Sequence, residues 1–257
     1  MRIARISLDG TPAFGLVEGA PGSETVTVLA GHPFGVIERT ERTVDLADVR
    51  LLAPVLPSKV VGVGRNYAEH VREMGGEIPD EPVLFLKPST SVIGPGDPIP
   101  YPMLSHEVHH EGELAVVIGR LVREVPIQRA FEAVLGYTCG NDVTARDLQR
   151  SDAQWTRAKG FDGFCPLGPW IETELDPSDV ALTCSVNGEL RQSSRTSLLM
   201  RGVAELVAFV SAVMTLLPGD VILTGTAAGV GPLRIGDTVS VEVEGIGTLR
   251  NPVVGDD

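Results

Sequence analysis

The 257-residue chain is poor in cysteine and in positive charge. It also lacks long apolar runs, and each shortage excludes something. Its three cysteines, Cys139, Cys165 and Cys184, are odd in number, far apart and without a C-x-x-C pair. That excludes a disulfide framework and a thiolate zinc site, and a reducing cytoplasm is the expected location. Lys and Arg number 21 against 34 Asp and Glu, a formal net charge of −13. Nucleic-acid binding needs a basic face to neutralise phosphates, and anionic lipid also selects basic patches. Neither partner is expected. Nowhere do about 18 apolar residues run together, as a membrane-crossing helix needs. The opening MRIARISLDG holds no apolar stretch, so neither signal peptide nor anchor is expected.

What is present is globular in character. Hydrophobic residues make up 43% of the chain, enough to bury a large core and to keep it far from disordered compositions. Its 29 glycines and 19 prolines are spread out, which suits many short strands and turns and excludes a fold of long helices alone. Strands are predicted over residues 2–8 and 13–17 around the turn Asp9-Gly10, then at 59–63, 83–86, 113–118, 136–141, 221–223 and 239–243. Residues 181–186 and 189–192 flank Asn187-Gly188, a strong hairpin signal. Helices are predicted at 66–74 with Asn66 as N-cap, at 127–135, at 144–150 with Thr144 as cap, and at 203–217. The proline-bounded stretch 53–58 marks a boundary between a small N-terminal domain, 1–56, and a larger one, 57–257.

The segment HHEGELAVVI, residues 109–118, carries the most chemistry. A strand repeats its side chains every two residues, so Glu111 and Glu113 face one side. Adjacent like charges repel unless something cationic offsets them. Asp142 closes another apolar stretch ahead of a helix. Three carboxylates without a thiolate suit a hard divalent cation, Mg²⁺ or Mn²⁺, with Ca²⁺ as a further candidate. The same residues also fit a solvated strand face, where carboxylate pairs are commonest. A zinc site on His106, His109 and His110 is disfavoured, because adjacent strand residues point to opposite faces. His70 and Glu73 are three apart on a predicted helix and can share a hydrogen bond, as an acid–base pair or as a plain surface ion pair. Arg146 and Gln149 share the same spacing, and Lys159 stands among glycines and phenylalanines; each equally fits a solvated face.

Other chemistries lack their residues. Gly62-Val63-Gly64 misses the third glycine and the acidic partner of a dinucleotide turn. No G-x-S-x-G or S-x-x-K motif is present, and the glycines from 225 to 231 come without a P-loop lysine.

Six segments in order, VGVGRNYAEH (61–70), PVLFLKPST (82–90), HEGELAVVIG (110–119), NDVTARDLQ (141–149), KGFDGFCPLG (159–168) and LTGT (223–226), resemble the fumarylacetoacetate hydrolase family. The likeness is to its acylpyruvase, oxaloacetate decarboxylase and 2-hydroxyhepta-2,4-diene-1,7-dioate isomerase branch. The resemblance implies an α+β, mainly β fold, a mixed β-sandwich roll with a small N-terminal domain, assembled as a homodimer. It implies that Glu111, Glu113 and Asp142 ligate the metal. It implies that Arg146, Gln149, Lys159 and Thr226 line the substrate pocket, and that His70 and Glu73 form a catalytic dyad on a mobile lid, with Lys159 also catalytic. The implied activity is C–C cleavage of a small anionic 2-oxo or 1,3-diketo acid through an enolate that the divalent cation stabilises. Acylpyruvate hydrolysis and oxaloacetate-type decarboxylation both fit. The alternatives are 2-hydroxyhepta-2,4-diene-1,7-dioate isomerase or 5-oxopent-3-ene-1,2,5-tricarboxylate decarboxylase in aromatic-compound catabolism, and a non-catalytic member. Gly160 departs from the family pattern, which has serine after the lysine; a hydroxyl is missing beside Lys159.

Overall fold

In the computed structural model, which describes residues 1–255, strands dominate. The chain opens with β1 (Arg2–Leu8), β2 (Thr11–Glu18), β3 (Thr25–Leu29), β4 (Arg39–Asp45) and β5 (Arg50–Leu52). At the first turn Asp9 and Gly10 both take positive φ, 51° and 80°, the geometry that matches the twist of a two-residue hairpin. Next come β6 (Val60–Gly64), α1 (Ala68–Glu73), β7 (Val83–Lys87), β8 (Val92–Ile93), β9 (Ile99–Tyr101), β10 (Val108–His110), β11 (Gly112–Ile118) and β12 (Val134–Asn141). Then follow β13 (Thr144–Ala145), α2 (Arg146–Ser151), α3 (Thr156–Lys159) and β14 (Cys165–Glu172). The last third holds β15 (Ala181–Val186), β16 (Glu189–Arg195), α4 (Val203–Val213), β17 (Val221–Leu223), β18 (Gly231–Pro232), β19 (Thr238–Val243) and β20 (Gly247–Gly255). No helix among the described residues is long and apolar enough to cross a membrane.

A twelve-stranded sheet runs β4-β3-β2-β1-β14-β12-β11-β17-β6-β7, with β5 beside β1 and β8 beside β14. A five-stranded sheet runs β16-β15-β19-β20-β9, and a three-stranded one β13-β10-β18. The α+β, mainly β architecture is as expected. The N-terminal strands join the large sheet where β1 pairs with β14, Arg2 opposite Glu172.

Strand β11 is the axis of the core, and all seven of its residues are buried. Leu114, Val116 and Ile118 pack with Leu182, Cys184 and Val241 of the facing sheet and with Leu206 and Val210 of α4. Ala115 and Val117 turn the other way, into a cluster with Ile3, Leu167 and Val221. Cover on both faces is why the sequence here is continuously apolar rather than alternating. All three cysteines are buried, and burial pushes each thiol up to about 12, so they serve as small apolar side chains.

Local differences from the sequence reading have physical causes. Asn66 does not cap α1, which begins at Ala68; its amide is used across the fold, donating to the carbonyls of Arg201 and Thr224. Thr144 does not cap a helix either. It lies in β13 opposite His109, and its hydroxyl donates to the carbonyl of Asp142. Residues Ile127–Ala133 form a 3-10 helix rather than an α-helix. Helix α4 ends at Val213, because Leu216 turns extended and exchanges backbone hydrogen bonds with Val122.

Candidate functional site

Two paired strands bring the three carboxylates together. Glu111 joins β10 to β11, Glu113 is the second residue of β11, and Asp142 follows the end of β12. In the β11–β12 ladder Gly112 is opposite Asn141 and Glu113 opposite Gly140. The side-chain oxygen of Asn141 accepts the N–H of Glu111 at 2.9 Å, and the N–H of Asp142 donates to the carbonyl of Glu111, also at 2.9 Å. One oxygen from each of Glu111, Glu113 and Asp142 lies within 4.8 Å of the others, and all three residues are buried. Gly112 faces the opposite sheet, where a Cβ would come 3.1 Å from the Cβ of Cys184. The closeness of β15 therefore asks for glycine between the two glutamates.

Three buried cations meet these carboxylates. Lys159, ending α3, donates from Nζ to Glu111 Oε2 at 2.7 Å and to Asp142 Oδ2 at 2.5 Å. Arg146, opening α2, donates to Glu111 Oε1 at 2.5 Å and to Gln149 Oε1 at 2.5 Å. Lys87, ending β7, donates to Asp142 Oδ1 at 2.6 Å and to the Val143 carbonyl at 3.2 Å. The charges count three against three, yet they are not evenly placed. Burial alone would raise the carboxyl of Glu111, but Lys159 and Arg146 outweigh it and hold the group far below the carboxylate range. Burial likewise opposes the charge on Lys159, and Asp142 and Glu111 reverse that, leaving it above the lysine range.

Glu113 differs. Burial raises its carboxyl, and the charges of Asp142 and Glu111 raise it further. It accepts the N–H of Gly225 at 2.7 Å, but no lysine or arginine nitrogen lies within 4.0 Å of it among the described residues. The donor set thus fits a hard divalent cation: three oxygens, no thiolate, and one carboxylate that makes no salt bridge with the chain itself. Glu111, Glu113 and Asp142 are the residues that could hold it.

Above this cluster lies a cavity of about 250 Å³. Its lining includes His70, Arg146, Gln149, Lys159 and Thr226 beside the three carboxylates, with Phe85 and Trp155 as apolar walls. Glu73 reaches the cavity through His70, whose Nδ1 is 3.1 Å from Glu73 Oε2. The other oxygen of Glu73 accepts the Gly229 N–H at 2.9 Å, which ties α1 to the loop after β17. His70 is buried under this contact and lines the cavity. The hydroxyl of Thr226 donates to the Gly112 carbonyl at 2.9 Å.

All nine residues singled out from the sequence therefore converge. The histidines beside them do not. His110 Nδ1 faces Gln192 Oε1 at 3.2 Å, and His109 Nε2 faces Glu107 at 3.3 Å. The ring under Lys159 is Phe85, 4.9 Å away; Phe161 and Phe164 instead pack against one another with their rings tilted by 54°. A Cβ at Gly160 would come 2.5 Å from the Thr156 carbonyl oxygen, so the backbone of this chain leaves no room for a serine there without a shift.

Sequence reasoning missed Lys87 and Gln192. Lysine is rare here, three residues in all, and a lysine at the end of an apolar strand was the available signal for Lys87. Gln192 carried none. It is fully buried in β16, where it accepts the Gly112 N–H at 2.9 Å and donates to Thr226 Oγ1 and the Ala227 carbonyl at 2.8 Å each.

Comparison with known proteins gives the family. The family model described as fumarylacetoacetate (FAA) hydrolase C-terminal matches residues 59–254, and one described as Rv2993c-like, N-terminal, matches residues 1–54. The crystal structure of 5-carboxymethyl-2-hydroxymuconate delta-isomerase from Mycobacterium smegmatis is 59% identical, with 100% of each chain covered and a TM-score of 0.94. Maleylpyruvate hydrolase from Sphingobium sp. SYK-6, solved with manganese (II) ion and pyruvate, is 30% identical, again with 100% of each chain covered, at a TM-score of 0.82. The mitochondrial oxaloacetate tautomerase fahd2 of Xenopus laevis is 40% identical over 231 residues, 85% of this chain and 72% of that protein. The chain belongs to the fumarylacetoacetate hydrolase family.

Proposed function

We propose that this chain is a divalent-metal-dependent enzyme acting on 2-oxo and 1,3-diketo acids, cleaving a C–C bond by acylpyruvate hydrolysis or oxaloacetate-type decarboxylation. The observation that carries the reading is the buried triad Glu111, Glu113 and Asp142 in a cavity that also presents His70, Arg146 and Lys159. The manganese (II) ion and pyruvate held by the Sphingobium hydrolase support it.

When bound, Mg²⁺ or Mn²⁺ supplies Lewis acidity toward the ketone and carboxylate oxygens of the acid. The remaining work falls to the chain. Arg146, whose two terminal nitrogens are held by Gln149 and Glu111, fixes a positive charge beside the place the acid's carboxylate would take. Lys159 places a full positive charge, on a buried side chain, where negative charge develops as the C–C bond breaks. Phe85 and Trp155 keep water away, which strengthens both interactions. His70, oriented by Glu73, takes a proton from the attacking water in hydrolysis and returns one to the enolate carbon. Decarboxylation needs only the second of these transfers.

A second reading is isomerisation of a 2-hydroxy-dienedioate. It needs only a proton taken from the enol oxygen and one delivered to carbon as the ketone forms, which the same imidazole can do. The 59% identity to the Mycobacterium smegmatis delta-isomerase favours it. Assay of acylpyruvates, oxaloacetate and 2-hydroxyhepta-2,4-diene-1,7-dioate with Mg²⁺ and Mn²⁺ separates the two. Cleavage of a keto acid that stops in chelator is the expected result. Isomerisation without cleavage selects the second reading, and no turnover of any of these acids overturns both.

A further inference from the structure

Four cationic side chains line the cavity: Arg65, Arg146, Arg150 and Lys159. Three of them already face carboxylates. Arg146 and Lys159 are held by Glu111 and Asp142, and Arg150 is paired with Glu107. Arg65 has no carboxylate oxygen within 4.0 Å and no side-chain hydrogen bond among the described residues. It is exposed, whereas the triad is buried, so it stands at the mouth of the same cavity. Its guanidinium carbon is 3.9 Å from where a Cβ on Gly76 would sit, beside the residues that follow α1.

The backbone sets Arg65 apart a second time. Its φ is 58°, in the left-handed region that a side chain with a Cβ rarely takes and that concentrates at functional positions. The next residue pins it there. Buried Asn66 donates to the Arg201 carbonyl at 3.0 Å and the Thr224 carbonyl at 2.8 Å, and accepts the Arg201 N–H at 2.9 Å. Glycine would satisfy this conformation without strain. What the position gains from arginine is the guanidinium.

Charge then narrows the occupant. A chain of net charge −13 repels acids at a distance, so each carboxylate of a ligand needs its own local cation. Arg146 and Lys159 serve the end beside the triad. We propose that Arg65 is a specificity-determining residue that takes the distal carboxylate of a dicarboxylic 2-oxo acid, so that substrates charged at both ends are preferred over those with a neutral acyl tail. This rests on reading the cavity as a 2-oxo-acid site.

The test compares Arg65→Gln and Arg65→Lys with the parent in Mg²⁺. Turnover is measured on maleylpyruvate, which keeps its distal carboxylate through hydrolysis, and on acetylpyruvate, and binding is measured calorimetrically with 2-oxoglutarate and its 5-methyl ester. Loss of a charge-assisted hydrogen-bond pair predicts a fall of about 10- to 100-fold in kcat/KM for maleylpyruvate, mostly through KM, in Arg65→Gln. The Kd for 2-oxoglutarate should weaken by a similar factor. Acetylpyruvate and the ester should change less than about twofold, and Arg65→Lys should restore part of the loss, since a point charge keeps the attraction without the fork. An unchanged melting temperature in both variants separates this from misfolding. Equal losses on charged and neutral tails, or no loss on either, overturn the inference while leaving the proposed function intact. A parent that neither binds nor turns over any of these acids overturns the proposed function and the inference with it.

Discussion

Replacing Glu113 with alanine is expected to abolish metal-dependent turnover, lowering kcat/KM by about a thousandfold or more, since it removes one of three oxygens that could hold the cation. The stability of the metal-free protein should move the other way, or not at all. Glu113 is buried and repelled by Asp142 and Glu111, and only the charge of Lys159 and one backbone N–H work the other way. Glu113→Gln removes that repulsion while keeping the shape of the side chain. Its melting temperature in chelator should equal or exceed that of the parent. Added Mg²⁺ or Mn²⁺ should raise the melting temperature of the parent but not of the variant, because only a ligand that binds the folded state stabilises it. Full activity of Glu113→Ala in chelator, or the same metal-induced shift in Glu113→Gln as in the parent, would contradict the assignment.

His70→Ala should separate chemistry from metal binding. Loss of a general base or acid costs about 10²- to 10⁴-fold in kcat. The imidazole contacts Glu73 rather than the triad, so metal affinity should stay within about threefold of the parent, a difference below the worth of one hydrogen bond. Glu73→Gln should give a smaller loss, since an amide can still orient the ring. A collapse of metal affinity in His70→Ala would show that α1 supports the triad rather than the proton transfer.

How much of this was legible in the sequence depends on how locally each feature is determined. Glu111 with Glu113 and His70 with Glu73 were legible because their spacing alone fixes a shared face, two residues on a strand and three on a helix. The hairpin at Asn187-Gly188 was equally local, and both residues take the positive φ such a turn needs. Asn66 misled because its side chain bonds across the fold, to Arg201 and Thr224, where capping rules see only neighbours in sequence; Thr144 misled because pairing with His109 draws it into a strand, and its hydroxyl turns back to the carbonyl of Asp142. Strand β4 was not foreseen. Its residues are mostly exposed, so no hydrophobic alternation marks it. Lys87 and Gln192 depend on which strands lie side by side, and that is set by the whole sheet rather than by any one segment.

The claim at the centre of this account is that recognition of an acid depends on the cation, because the chain carries a net charge of −13 and commits Arg146 and Lys159 to its own carboxylates. Calorimetric titration of the protein with oxalate, a non-reacting mimic of the proposed enolate, tests it directly, once in Mg²⁺ and once in chelator. The account predicts clear saturable binding in Mg²⁺ and affinity at least about a hundredfold weaker in chelator, the worth of a full cation contact in a water-poor site. Equal affinity in both solutions would contradict it.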